Sequence, residues 1–163
     1  MTEMSVVEAQ ASTELEPHAW LGLVLDHFAR GEQALGRLSL ALDLPIANGS
    51  LGSLNELRNR LRMAESRKAK ALEQRIARWR KNRPFRHLLA HATITVLFDS
   101  MSQPFVVTRH LPRDAEDVTP DRVWSLEERK ELLRQASNDS RSICDHVRNL
   151  LADPIEHNKL RKS

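Results

Sequence analysis

The stretch "RPFRHLLAHATITVLF", residues 83–98, changes its period in the middle. Phe85, Leu88, Leu89 and Ala92 recur at helical spacing, so the first half reads as a short helix with one apolar face. Pro84 belongs in the first turn of that helix, where its missing N–H costs nothing, with Asn82 or Arg83 near the cap. From Thr93 onward the chain is β-branched, and Ile94, Val96 and Phe98 alternate with Thr95 and Leu97, the period of a strand. "FVVTR" at 105–109 repeats that character, and "DSMSQP" between the two runs has the composition of a hairpin connection. A β-hairpin over 93–109 is therefore expected directly after a helix.

Outward from this junction the pattern is helical. Trp20, Leu23, Val24, Phe28, Leu35, Leu38 and Leu42 mark an amphipathic helix over 14–43, with a candidate bend at Gly31. "PIANGSLGS" at 45–53 is dense in turn formers, and Ser53 followed by Glu56 predicts a capping box that opens a second helix. That helix carries Leu54, Leu57, Leu61, Leu72, Ile76 and Trp79, with a candidate break between Ala64 and Lys70. Residues 110–122 read as a polar loop. Ser125 and Glu128 form a second capping box, ahead of a helix that buries Leu132, Leu133, Ala136, Ile143, Val147 and Leu150 and ends by Asp153-Pro154. The expected architecture is all-α, a bundle of four to five helices with a short inserted hairpin. Residues 1–13 are expected as a flexible N-terminus, 14–153 as a single helical domain and 154–163 as a mobile basic tail.

Composition bounds the function. The 163-residue chain has 40% hydrophobic and 4% aromatic residues, enough for one aliphatic core. A single cysteine, Cys144, excludes an internal disulfide framework and fits a reducing cytoplasm. The start of the chain lacks the basic and apolar regions of a secretory signal. The apolar-rich region 18–44 is interrupted by Asp26, Arg30, Glu32 and Arg37, so no membrane span is expected. Net charge is only +3, yet twelve Lys and Arg face two Glu between Arg58 and Arg86. Such a run is either a track for a polyanion such as RNA or a solvated helix face. Arg75, Arg78, Arg80, Lys81 and Arg83, which lead into the quoted stretch, are the candidate RNA contacts.

The chemistry available in 83–93 rests on Arg86, His87 and His91. An imidazole transfers protons near neutral pH, and a guanidinium donates paired hydrogen bonds to phosphate oxygens. Together they can deprotonate a ribose 2′-hydroxyl and stabilise charge on the adjacent phosphate without a metal. Five residues of helix turn through about 500°, so Arg86 and His91 lie about 140° apart around the axis. They converge on one substrate if the helix ends near His91, or if a second copy supplies its own pair across a two-fold axis. His87 and His91 also have the i, i+4 spacing of a zinc-binding helix. The glutamate that such a protease helix carries after its first histidine is Leu88 here, and a third ligand from Asp99, His110 or His146 would need folding to deliver it. No metal or cofactor is expected. Glu32, on the first helix, is a candidate supporting acid, and Arg109 and His110 follow a strand toward the same region. Trp20 and Trp79 fall on apolar stripes and read as core rather than as base-stacking platforms.

"RHLLAH" resembles the defining motif of HEPN domains: an arginine, usually a polar residue, a few mainly apolar residues and a histidine. Arg86, His87 and His91 match those positions, and the order of a first helix with "GEQAL" at 31–35, a long helix, the motif and a last long helix is similar over roughly residues 14–152. The resemblance implies a helical bundle, usually a homodimer whose two motifs line one cleft, and in many members a metal-independent endoribonuclease of toxin or defence type. His91 would be the proton-transfer residue, Arg86 the group that orients the phosphate and His87 an accessory polar group. An antitoxin or regulatory protein is an implied partner. The hairpin and Pro84 depart from the minimal pattern. One toxin subclass carries a modified tyrosine two residues after the histidine; Thr93 stands there, and the chain has no tyrosine. The alternative reading is a non-catalytic module of the same type that binds RNA, nucleotide or a protein partner.

Overall fold

The computed structural model describes residues 16–45, 51–102, 104–110 and 120–162. The described chain is mainly α-helical: α1 (Pro17–Ala41), α2 (Leu51–Met63), α3 (Arg67–Trp79), a 3₁₀ turn (Arg80–Asn82), α4 (Arg83–His91), α5 (Leu126–Ala152) and α6 (Pro154–Lys162). Between α4 and α5 lie three strands, β1 (Ala92–Phe98), β2 (Pro104–His110) and β3 (Arg122–Trp124), in an antiparallel sheet of order β1-β2-β3. The fold is thus mainly rather than wholly α. No helix among the described residues is long and apolar enough to cross a membrane. The chain divides into two compact units. Unit 1 holds the chain up to Asp26 and Asn82–Ala136, and unit 2 holds His27–Lys81 and Ser137–Ser163.

Unit 1 is built on the hairpin. Ala92 pairs with His110 and Phe98 with Pro104, and the five intervening pairings run without a break. Asp99 shapes the turn, accepting from Met101 N at 2.8 Å through Oδ1 and from Ser102 N at 3.0 Å through its carbonyl, while Ser102 takes φ 60°. β3 extends the sheet by pairing Val106 with Trp124 and Thr108 with Arg122. An alternating pattern needs more than three residues to declare itself, which is why β3, starting at the last residue of the expected polar loop, was not expected as a strand.

The core of unit 1 is aromatic. The Trp124 ring lies 5.5 Å from Trp20 and 5.3 Å from Phe85, the latter edge to face. Both indole N–H groups are satisfied: Trp124 Nε1 donates to Thr108 Oγ1 at 3.0 Å, and Trp20 Nε1 donates to the Arg129 carbonyl at 2.9 Å. A ring that buries about 200 Å² contributes about 5 kcal/mol before entropy is counted. The expected capping box opens α5, with Glu128 N donating to Ser125 Oγ at 3.2 Å and Ser125 N to Glu128 Oε2 at 2.9 Å.

Unit 2 is helical and largely aliphatic, with Leu38, Leu57, Leu61, Leu72, Ile76, Ile143 and Leu150 at 1% exposure or less beside one buried aromatic pair, Phe28 and Trp79, at 6.0 Å. The expected break in the second helix falls at Ala64–Ser66, and Ser66 caps α3 by accepting from Ala69 N at 3.0 Å. α2 starts at Leu51, two residues before the expected cap, so Ser53 lies inside the helix. Gly31 lies against Trp79, where a Cβ would meet Nε1 at 3.4 Å, an ordinary van der Waals contact. α1 closes with Leu44 N bonded to the Ser39 carbonyl at 2.9 Å and Asp43 N to the Leu40 carbonyl at 3.1 Å, with Asp43 at φ 55° in the place glycine usually takes.

Residues 154–162, expected as a mobile tail, form α6 instead. Asp153 caps it, accepting from Ile155 N at 3.1 Å and Glu156 N at 3.3 Å, and Pro154 takes the first helical position. Leu160 is fully buried, Arg161 bonds Asp43 at 2.6 Å and Ser66 Oγ donates to Glu156. The pair Asp-Pro both stops one helix and starts the next. Residues 1–13 lie outside the described residues.

Candidate functional site

The local sequence sets the roll of α4. Leu88 and Leu89 are 8% and 2% exposed, which leaves Arg86 half-buried and His87 and His91 exposed. Pro84 sits in the first turn as expected, and Asn82 caps the helix with its backbone only, because its side chain donates to Gln135 Oε1 at 2.8 Å. The helix stops at His91 because Ala92 turns to φ −88°, ψ 150°, its N–H still bonded to the Leu88 carbonyl. No residue separates α4 from β1.

The sheet register then adds a third imidazole. His110 pairs with Ala92, the neighbour of His91, and its ring lies 6.5 Å from that of His87. The His87 and His91 rings are 4.7 Å apart. His110 is 9% exposed, so the cluster has two exposed members and one buried one. Arg109 is the strand neighbour of His110 and so points to the other sheet face, where it is exposed and its Nε lies 3.8 Å from Asp121 Oδ2. Among the described residues no group of three or more His, Cys, Asp and Glu is placed to hold a metal ion.

Two further arginines of unit 1 escaped the sequence reading. Arg122 lies over the Phe85 ring at 4.7 Å and over the Trp124 ring at 4.2 Å, while its Nη2 donates to Glu128 at 3.1 Å. It bridges the base of α4 to β3 through cation–π contacts of about 1 kcal/mol each. Arg129 is wholly buried on α5 and lies 6.0 Å from the Trp20 ring. Burial pushes its guanidinium below the ordinary value, with Glu16 pulling the other way. A signal was present: Arg129, Leu132, Ala136, Ser140, Ile143, Val147 and Leu150 share one buried stripe, and an arginine at a stripe position marks a buried charge.

The other expected site residues fall elsewhere. Arg75, Arg78, Arg80 and Lys81 belong to unit 2, as does half-buried Glu32, whereas Arg83 lies in α4. Burial raises the Asp139 carboxyl above its ordinary value, against the pull of Arg78 and Arg75. Arg80 donates to Asn55 Oδ1 at 3.1 Å. Farther back, Arg58 reaches Glu73 at 2.6 Å and Arg62 reaches it at 3.2 Å. Burial pushes the Glu73 carboxyl up, but the two arginines outweigh it and hold the group below the usual glutamate range. Comparison with known proteins adds no relative to this geometry: no family model matches the chain, and no curated protein or solved structure does.

Proposed function

We propose that this chain is a HEPN-like, metal-independent endoribonuclease. The observation that carries the reading is the exposed His87 and His91 pair on α4, with Arg86 on the same short helix. His91 takes the proton from the ribose 2′-hydroxyl as the new P–O2′ bond forms. Arg86 donates to the non-bridging phosphate oxygens, and His87 protonates the departing 5′-oxygen. The products are a 2′,3′-cyclic phosphate and a 5′-hydroxyl end. Arg75, Arg78, Arg80, Lys81 and Arg83 hold the RNA backbone through contacts that weaken as salt rises. The dimeric cleft, the cytoplasmic setting and an antitoxin or regulatory partner belong to this same proposal.

His91→Ala tests it. In EDTA the parent should cleave single-stranded RNA to cyclic-phosphate ends, and the variant should be slower by about 100-fold or more while still binding RNA. Equal rates for the two proteins would refute the catalytic role. RNA binding by both proteins with cleavage by neither would identify a binding module instead.

A further inference from the structure

The two edges of the sheet are built differently. β3, one edge, is three residues long and carries Arg122. Short length and charge are the usual guards against edge-to-edge pairing. β1, the other edge, runs for seven residues as Ala-Thr-Ile-Thr-Val-Leu-Phe, with no charge and no proline. Its pairing with β2 is continuous, so no bulge twists the edge aside. Among the described residues no strand covers its outer side. Leu97, Phe98 and Met101 at its far end are 49%, 69% and 78% exposed.

We infer that β1 is a dimer interface, pairing antiparallel with β1 of a second copy to form a continuous six-stranded sheet. The strand is uncharged throughout, so its own copy can pair with it without repulsion. Full overlap of the seven-residue strand places the two-fold axis at Thr95, so Thr95 faces Thr95, Ile94 faces Val96, Thr93 faces Leu97 and Ala92 faces Phe98. Each position meets one of the same parity, so the inner faces of the two sheets lie on the same side. The two α4 helices then lie at opposite ends of the joined strands, so this pairing is a different dimer from the shared cleft of the proposed ribonuclease, and it stands whether or not the chain cleaves RNA.

Sedimentation of the full chain tests the interface. The parent should sediment at twice the monomer mass. Thr95→Lys should weaken the dimer by about 100-fold or more, because like charges then face each other across the axis. A helical circular-dichroism spectrum matching the parent would show that this variant folds. In a Cys144→Ser background, Thr95→Cys should form an intermolecular disulfide under mild oxidation, since directly opposed Cα atoms lie about 4.5–5.5 Å apart. A parent that stays monomeric at about 100 μM without forming the Thr95→Cys cross-link would overturn the inference. A dimer that ignores Thr95→Lys and fails to cross-link would overturn it too.

Discussion

Unit 1 and unit 2 use charge in opposite ways. In unit 2 part of the basic run that dominates the sequence is engaged in structure: Arg58 and Arg62 hold Glu73, Lys68 holds Asp153 at 2.8 Å and Arg80 holds Asn55. In unit 1 the charged and titratable groups are fewer, yet His87 and His91 stand exposed on a helix fixed by a packed aromatic core. A count of charges along a sequence therefore overstates the surface available to a ligand. Local burial decides which groups remain for chemistry.

The comparison breaks first if the aromatic core is not what holds unit 1. Trp124→Ala removes a ring that is 1% exposed and touches Trp20, Phe85 and Arg122, and should cost about 3–5 kcal/mol. Denaturant melts followed by circular dichroism measure this, and a loss below 1 kcal/mol would move the weight of unit 1 elsewhere.

Glu73→Gln probes the engaged charges of unit 2 and should cost about 1–3 kcal/mol at neutral pH. Because the folded carboxyl is held below its ordinary range, its contribution is complete above the unfolded glutamate value and fades as pH falls through the lowered folded value. The difference between parent and variant in thermal melts should therefore shrink on acidification. A constant gap would mean that the arginines do not act through the ionised form.

Asp139→Asn should have the smallest effect, and with the opposite sign. Burial raises this carboxyl, so ionising it costs stability as pH rises from the ordinary aspartate range through the raised folded value, and the amide removes that cost. A gain of up to about 1 kcal/mol at neutral pH is expected. RNA affinity should also rise, with a steeper salt slope, because Arg75 and Arg78 lose an acidic neighbour. Unchanged affinity in filter binding would separate these two arginines from any RNA track.

Local signals account for most of what was readable in the sequence. The capping box at Ser125 and Glu128, the hairpin flanking "DSMSQP", the helix start at Pro84 and the break before Arg67 each rest on residues within a few positions of one another. Wholly buried Trp20 and nearly buried Trp79 follow their apolar stripes. What was not readable depends on distant partners. α6 needs Leu160 to find a core, β3 needs Val106 and Thr108 to pair with, and His110 reaches His87 only through the hairpin register. At the candidate site, the α4 residues were legible as a motif, whereas the Arg122 bridge could emerge only from packing.

The direct passage from His91 to Ala92 ties the position of the imidazole to a count of residues. A connecting loop would absorb an added residue by bulging, but this junction has none. One residue inserted there either unwinds the last turn of α4, carrying His91 away from His87, or slides β1 by one place and turns Ile94 and Val96 from the inner face to the outer. The spacing of the motif is in this sense written into the sheet, and the strand acts as the ruler that keeps the histidine in place.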